Sequence, residues 1–310
     1  MIAALSGGVG AARFLRGLVD VVPPSEVVAI VNTGDDVELW GLHVSPDLDT
    51  VMYTLAGAVN PETGWGLAGE SWAVMHALER FGGPTWFRLG DRDLATHLYR
   101  TARLRAGATL SEATAELVAA WGVGVHVVPM SDQGVETRLE LLEEGIEVGF
   151  QNYFVERRHS VPVRSVRFAG AEAARPAPGV LEALGEADLV VVCPSNPILS
   201  IGPILAVPGL EDAVRTRRTD VVAISPIVAG AAVKGPADRL LAELGHEPSV
   251  AGVARLYSGI AATLIVDEAD AASVGAVEEA GMRCVVAPTL MHGEPEAAAL
   301  ARTVLEAVPA

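Results

Sequence analysis

The sequence predicts an α/β protein with a Rossmann-like, doubly wound and mostly parallel sheet. Three observations support this fold class: seven apolar runs rich in Val and Ile, helical patterns between them, and loops rich in Gly, Pro and polar residues after several runs. Short apolar runs are typical of buried strands, and their alternation with helices is typical of parallel sheets. We therefore expect a single α/β domain over residues 1–310, with an inserted helical and hairpin region at about 60–170.

The expected elements follow from these patterns in chain order. The predicted strands are 2–6, 27–32, 124–128, 188–193, 220–225, 262–266 and 283–287. The predicted helices are about 11–20, 47–58, 70–81, 94–105, 111–120, 178–185, 237–244 and 294–307. A different pattern covers 137–168, where 137–142 and 147–151 flank an acidic turn and 163–168 follows. This stretch predicts a hairpin with a third strand, forming a small antiparallel insertion or edge extension.

Composition excludes two classes of partner. The formal charge is -17, from 22 basic and 39 acidic residues, so the basic footprint of a nucleic-acid binder is missing. No run reaches the roughly 18 apolar residues that a membrane helix needs. The start, Met1–Ser6, predicts a first strand and not a signal peptide. Cys193 and Cys284 lie in apolar runs and are expected to be core thiols in a reducing cytoplasm.

Four carboxylates lie within fifteen residues just after the second predicted strand. They are Asp35, Asp36, Asp47 and Asp49, in the segments Asn32–Asp36 and Pro46–Thr50. The carboxyl ends of such strands are where open α/β sheets bind ligands. Mg²⁺ prefers oxygen ligands of this kind and often shares them with a substrate phosphate. We expect at least one of the four to bind metal, although Asp36 and Asp47 could instead be turn residues or helix caps.

Two loops favour anion binding. Ser6–Arg13 follows the first strand and opens a helix, which is a typical phosphate site, but Arg13 replaces the third glycine of the dinucleotide fingerprint. No Walker A lysine follows, so the loop is either an anion site or only a tight turn. Cys193–Leu205 follows another strand and carries Ser195, Asn196 and Ser200 between two prolines and a glycine. Its rigidity and polarity favour a functional role.

Two further segments offer cationic or polar contacts. In Leu89–His97, Arg92 and His97 are free to meet a phosphate or polar ring, while Asp93 is a candidate helix cap. Lys234 is the only lysine in the chain. It is either a solvated surface amine or a contact to a nucleotide.

Taken together, these motifs resemble the 2-phospho-L-lactate transferase family of coenzyme F420 biosynthesis, whose actinobacterial members are phosphoenolpyruvate transferases. The matching segments are Gly7–Leu15, Asn32–Asp36, Pro46–Thr50, Leu89–His97 and Pro194–Leu205. They occur in order over nearly the whole chain. One departure is the stretch Gln133–Glu136, where the family often has a basic residue.

The resemblance implies a Mg²⁺-dependent transfer. A 2-phospholactyl or enolpyruvyl-phosphate group would move from a guanosine diphosphate ester to the ribityl hydroxyl of 7,8-didemethyl-8-hydroxy-5-deazariboflavin, and GMP would leave. It implies Asp35 and Asp49 as catalytic residues and as the first metal ligands, with Asp36 and Asp47 behind them. It also implies a homodimer. The implied nucleotide-binding residues are Gly7, Gly8, Gly10, Asn32, Arg92, His97, Ser195, Asn196, Ser200, Ile201 and Lys234.

Two other classes of function stay open at this level. A nicotinamide-dependent oxidoreductase is disfavoured by Arg13 and by the lack of an acidic residue that ends a strand about twenty residues on. A non-catalytic nucleotide or nucleotide-sugar binding protein would not need the acidic segments as a metal site. The sequence also leaves open the lactyl or enolpyruvyl donor, and which aspartates bind metal or act as base.

Overall fold

Strands and helices alternate along most of the chain in the computed structural model, which describes residues 1–308. The strands are β1 (Ile2–Ser6), β2 (Val27–Val31), β3 (Val37–Leu39), β4 (Leu42–Val44), β5 (His126–Pro129), β6 (Glu136–Leu141), β7 (Glu147–Gly149), β8 (Val163–Ala169), β9 (Leu189–Val192), β10 (Val221–Ile224), β11 (Ile227–Val228), β12 (Ala231–Ala232), β13 (Thr263–Val266) and β14 (Arg283–Val286). The helices are α1 (Gly8–Leu18), α2 (Pro46–Leu55), α3 (Ala73–Glu79), α4 (Asp93–Arg105), α5 (Leu110–Ala120), α6 (Val180–Glu186), α7 (Gly202–Ala206), α8 (Leu210–Thr216), α9 (Ala237–Glu243), α10 (Val250–Tyr257), α11 (Val274–Glu279) and α12 (Glu294–Glu306).

Seven strands form one parallel sheet in the order β14-β13-β10-β9-β1-β2-β5. β1 lies between β2 and β9, with Ile2 paired to Val27 on one side and to Leu189 on the other. The chain winds outward from β1 through β2 to β5, and then in the opposite direction through β9, β10, β13 and β14. The predicted doubly wound parallel sheet is therefore confirmed, and its strand order reverses between β1 and β9.

The sheet is apolar on both faces, because helices cover it on each side. Ala3 and Leu5 of β1 point into one apolar cluster, which also contains residues of α6, α7, α8, α10 and α11. Ile2 and Ala4 point into the other, which contains residues of α1, α2, α5 and α12. The buried strands explain why the sequence shows continuous apolar runs instead of alternation.

Two excursions from the sheet flank the carboxyl ends of β1 and β2. The first brings the β3–β4 hairpin against α3 and α4, with Leu39, Val44 and Leu94 in a small apolar cluster. The second is the predicted antiparallel unit, in the order β7-β6-β8. β5 lies between them in sequence and joins the central sheet, so the segment from about 60 to 170 contains the helical part of the first excursion, one strand of the central sheet and the antiparallel unit.

Several helices depart from the predicted positions for identifiable reasons. α3 covers less than the predicted 70–81, because Asp91 accepts hydrogen bonds from the backbone N–H groups of Ala73 and Val74 and so fixes where the helix begins. The sequence did not predict α10, which contains Gly252, a residue that disfavours helix. A Cβ atom there would lie 1.9 Å from the carbonyl oxygen of Glu247, so the close packing requires glycine.

Within residues 1–308 no single helix has the length and apolar composition needed to cross a membrane. Two consecutive helical segments, Pro197–Ala206 and Leu210–Thr216, reach that length and composition only when they are counted together, and the chain bends by 97° between them.

Candidate active site at the carboxyl edge of the sheet

A cleft of about 390 Å³ opens at the carboxyl ends of the central strands. It lies over β1 and β9, where the strand order reverses, which is the usual position of ligand sites in open α/β sheets. Its lining includes residues from the loops after β1, β2, β9 and β10 and from the segment after β14. Among the lining residues are Gly7, Gly8, Gly10, Arg13, Asp35, Asp47, Asp49, Arg88, His97, Gln151, Pro194, Ser195, Asn196, Ser200, Lys234 and Met291.

The glycine loop and the loop after β9 contact each other and form one wall of this cleft. A Cβ atom at Gly10 would lie 2.2 Å from the carbonyl oxygen of Pro194, and one at Gly7 would lie 2.6 Å from Cβ of Ser200. Ser195 Oγ donates a hydrogen bond to the carbonyl oxygen of Gly7 at 2.8 Å. Only glycine allows this approach, so the structure brings together the two predicted anion-binding loops.

Asn196 shapes the second loop. Its Oδ1 accepts hydrogen bonds from the backbone N–H groups of Ile198 and Leu199, as a capping residue does. Ser200 faces the cleft one position before the fully buried Ile201. The side chain of Ile201 therefore belongs to the core.

Asp35 and Asp47 form a pair of buried carboxylates on the floor of the cleft. Asn32 Nδ2 donates to Asp35 Oδ1 at 3.2 Å and to Asp47 Oδ2 at 2.9 Å, so one side chain holds both. They are 6% and 7% exposed. Within residues 1–308, no side-chain nitrogen of Lys, Arg or His lies within 4.0 Å of either carboxylate, so neither forms a salt bridge.

Burial and the neighbouring negative charges raise the pKa of both groups. Burial, and then the neighbouring charges of Asp47 and Asp36, raise the pKa of Asp35 well above its ordinary value. Burial and Asp36 raise the pKa of Asp47 to about 7, although Asn32 and the backbone N–H of Gly8 oppose this shift. The pair therefore favours a bound proton or a bound cation.

The other two predicted aspartates have partners. Asp36 accepts from Ser45 Oγ at 2.7 Å and contacts His43 Nε2 at 2.9 Å, and it does not line the cleft. Asp49 lines the cleft, but Arg100 Nη1 donates to its Oδ2 at 3.1 Å and Arg100 Nη2 to its Oδ1. The four carboxylates therefore form two groups: Asp35 and Asp47 have no cationic or histidine partner in the described part of the chain, whereas Asp36 contacts His43 and Asp49 forms an ion pair with Arg100.

A second layer of polar groups lies beneath Asp49. His97 is only 1% exposed; its Nδ1 is 3.6 Å from Asp49 Oδ2 and its Nε2 is 3.3 Å from Asp93 Oδ2. Neither ring nitrogen makes a well-directed hydrogen bond within the part of the chain that is described. The hydroxyl of Tyr53 donates to Asp93 Oδ1 at 2.6 Å. Asp49, Asp93 and His97 are also spaced closely enough to hold a metal ion together.

The predicted cations fall into two groups. Lys234 lines the mouth of the cleft, and its Nζ donates to the carbonyl oxygen of Thr63 at 2.6 Å. Arg92 does not line the cleft, because its guanidinium is bound to the carbonyl oxygen of Ala68 and its backbone N–H to Glu70. Its predicted role as a nucleotide contact therefore has no support in its position.

The sequence reasoning missed Arg88 and Arg100, whereas Gln151 ends one of the predicted hairpin strands. Arg88 lines the cleft and stacks over Trp72, and Gln151 Nε2 donates to the carbonyl oxygen of Asp35 at 3.0 Å. Arg100 had a usable signal: it lies three residues after His97 on α4, so both share one helix face. Arg88 lies in a segment without a periodic pattern.

The donor set of the floor fits a hard divalent cation. Asp35 and Asp47 offer carboxylate oxygens, and the hydroxyl of Thr33, two residues before Asp35, is buried without a hydrogen-bond partner in residues 1–308. Mg²⁺ takes oxygen ligands of this kind and keeps several waters. The residues present are therefore compatible with the magnesium that the family resemblance implies.

Comparison with known proteins identifies the family. Residues 2–289 match the family model described as 2-phospho-L-lactate transferase CofD. A phosphoenolpyruvate transferase from Streptomyces griseus is 50% identical over 309 residues, covering 98% of this chain and 97% of that protein. One from Mycolicibacterium smegmatis is 40% identical over 324 residues, covering 98% of each chain.

A solved structure of a UPF0052 family member from Bacillus halodurans has the same fold, with a TM-score of 0.64 over 98% of both chains. It is 18% identical in sequence, so the likeness concerns the fold alone. The family match and the close relatives show that the chain belongs to the 2-phospho-L-lactate transferase family, as its motifs predict.

Proposed function

We propose that this chain transfers an enolpyruvyl-phosphate group from a guanosine diphosphate ester to the terminal ribityl hydroxyl of 7,8-didemethyl-8-hydroxy-5-deazariboflavin. GMP is released and a dehydro form of coenzyme F420-0 is made. One observation carries this proposal. Asp35 and Asp47 are buried without a cationic partner among residues 1–308, and they lie beside the amide-rich loops at Gly7–Gly10 and Ser195–Ser200. The enolpyruvyl donor is preferred over the lactyl donor because relatives up to 50% identical are named phosphoenolpyruvate transferases.

Transfer of this kind depends on positioning and charge neutralisation more than on covalent catalysis. The backbone N–H groups at the start of α1 and in the loop after β9 would hold the diphosphate, since helix starts attract anions. Asn32 occupies one oxygen of each carboxylate, so the second oxygens of Asp35 and Asp47 are free to hold Mg²⁺ and the acceptor hydroxyl. Bound Mg²⁺ would neutralise the charge on the diphosphate and on the departing GMP.

The bond changes follow from this arrangement. The ribityl oxygen forms a bond to the phosphorus that carries the enolpyruvyl group, and the bond from that phosphorus to the oxygen bridging to GMP breaks. The hydroxyl proton passes to a carboxylate of the floor, for which we assign Asp35. Asp49 is a weaker candidate for the base because Arg100 binds both of its oxygens.

The test is a transfer assay with the purified chain, the deazaflavin, Mg²⁺ and each guanylated donor in turn. We expect mass spectrometry to show the enolpyruvyl product, no product in excess chelator, and recovery when Mg²⁺ or Mn²⁺ is restored. The Asp35→Asn variant should lose turnover but still bind GDP, which separates an enzyme from a nucleotide-binding protein. Product from neither donor would refute the assignment, and full turnover in chelator would refute the metal.

Two finer expectations accompany this proposal. A homodimer, which light scattering would detect, and a cytoplasmic location both stay predictions.

A further inference from the structure

Two positively charged side chains lie near each other at the mouth of the cleft, although the net charge of the protein is -17. Arg13 lies on α1, and Lys234 follows β12; both line the cleft. A Cβ atom at Gly64 would lie 3.6 Å from Arg13 Nη2 and 3.6 Å from Lys234 Nζ. The two cationic groups therefore border the same small space.

Neither cation has an acidic partner. Within residues 1–308, no carboxylate forms a salt bridge with Arg13 or Lys234, whereas Arg16 on the same helix pairs with both Asp20 and Glu294. Arg13 instead donates to the carbonyl oxygen of Met291 at 3.4 Å, and Lys234 donates to that of Thr63 at 2.6 Å. These single bonds leave most N–H groups of both side chains available.

The position of the two cations is built by close packing. Gly64 has a φ of 76°, and a Cβ atom there would lie 2.8 Å from Cγ1 of Val9 in the glycine loop. The segment that contains Thr63 and Gly64 therefore rests on the glycine loop and connects it to Lys234. Arg13 follows Gly8 by five residues, or about 7.5 Å of helix rise, so the cations lie beyond the end of the loop that would hold the diphosphate.

Placing two like charges together is unfavourable in the free protein. Burial, and then the charge of Arg13, lower the pKa of Lys234 from its ordinary value. An anion between the two groups would relieve this repulsion and form charge-assisted hydrogen bonds with both. The carboxylates of the cleft cannot do so, because they lie on its floor and not at its mouth.

We infer that Arg13 and Lys234 together bind one oxyanion of the donor substrate, a phosphate or a carboxylate, at the mouth of the cleft. Only the identification of the anion with the donor rests on the proposed function; the clamp itself rests on the geometry of Arg13, Lys234 and Gly64. The two residues thus form a binding point separate from the amide loops and from the metal-binding floor.

Calorimetric titration with GDP and with phosphoenolpyruvate, on wild type and on the variants Arg13→Gln and Lys234→Gln, tests this inference. Losing a charge-assisted contact should weaken binding by roughly tenfold or more in each variant. Arg16→Gln is the matched control, since it removes the same charge from the same helix, and it should bind as wild type does. Weaker GDP binding identifies a phosphate of the nucleotide as the anion. Weaker binding of phosphoenolpyruvate alone points to the transferred group, and an equal loss with pyruvate, which has no phosphate, identifies its carboxylate.

The single lysine offers a second readout. After reductive ¹³C-methylation, the ε-amine resonance reports Lys234 alone, and its pKa should rise in Arg13→Gln and also when either ligand saturates the wild type. Unchanged affinity for both ligands in both variants would overturn the clamp, as would a wild type that binds neither ligand. The outcome is independent of the transfer assay: a clamp that binds anions in a protein without transferase activity would refute the proposed function and leave the clamp standing.

Discussion

The floor of the cleft and the polar layer beneath it contain the same kind of residue in opposite electrostatic states. On the floor, Asp35 and Asp47 share one neutral donor, Asn32, and have no cation. In the layer beneath, Asp49 is bound by Arg100, and Asp93 receives the hydroxyl of Tyr53. In the lower layer each carboxylate has a donor from another side chain that is a cation or a hydroxyl, whereas the two carboxylates of the floor have only the Asn32 amide and lack a counter-charge within residues 1–308.

This difference separates a structural role from a ligand-binding one. An ionised carboxylate taken out of water costs several kcal/mol unless it is paired. The Asp49–Arg100 pair meets this condition within the fold. Asp35 and Asp47 do not, so folding leaves an unfavourable interaction that a proton or a metal ion relieves. Binding sites commonly carry a stability cost of this kind.

The largest expected effect is on activity, and it tests the floor. Asp35→Asn and Asp47→Asn should each lower turnover by about 10²–10⁴-fold, because a positioned carboxylate contributes roughly that factor. Initial rates from product mass, with saturating Mg²⁺, measure this. Asp36→Asn should lose much less, since His43 and Ser45 already occupy that carboxylate. An Asp47→Asn enzyme with the wild-type rate would contradict the distinction between paired and unpaired aspartates.

The next effect is on stability, and it tests the layer beneath. Arg100→Gln leaves Asp49 buried without its partner, so the free energy of unfolding in urea should fall by about 3–5 kcal/mol. Arg103→Gln on the same helix is the matched control: its bridge to Glu116 is exposed to solvent, so its loss should lower the free energy of unfolding much less than Arg100→Gln does.

Adding Asp49→Asn to Arg100→Gln should restore part of the loss, because it removes the uncompensated charge. Equal losses in the two arginine variants would mean that the buried pair stabilises no more than a surface pair.

The third effect is again on stability, and it concerns the pH dependence of the metal-free protein. The pKa of Asp47 rises from 3.8 to about 7 on folding, so the folded state binds more protons between these values. The stabilisation from this group is complete below about pH 4 and is lost as the pH rises through about 7. At about 1.4 kcal/mol per pKa unit, the free energy of unfolding should fall by a few kcal/mol over this range.

Thermal unfolding in chelator from pH 4 to 8 measures this loss by comparison with Asp47→Asn, which should lack it. Mg²⁺ should restore stability to the wild type at pH 8. Identical pH profiles for wild type and Asp47→Asn would show that the carboxylate is not strained in the native state.

The sequence determined the sheet and the location of the cleft. The five inner strands of the sheet are buried on both faces, and only the edge strands β5 and β14 have exposed residues, so the inner strands appear as continuous apolar runs that can be identified without knowledge of their neighbours. Because parallel strands end at a common edge, the polar loops after β1, β2 and β9 had to converge there. For the glycine loop after β1, the sequence alone predicts either an anion site or a tight turn before α1.

Only the tertiary structure decided how the charges are paired. Arg100 reaches Asp49 across 51 residues, and Lys234 reaches Thr63 across 171. The beginning of α3 depends in the same way on Asp91, which follows it in the chain. Periodicity and composition report which residues are buried, because burial follows from local apolar patterns. They do not report which buried charge meets which partner, because that depends on distances between segments far apart in sequence, and those distances decide which aspartates are left free for a ligand.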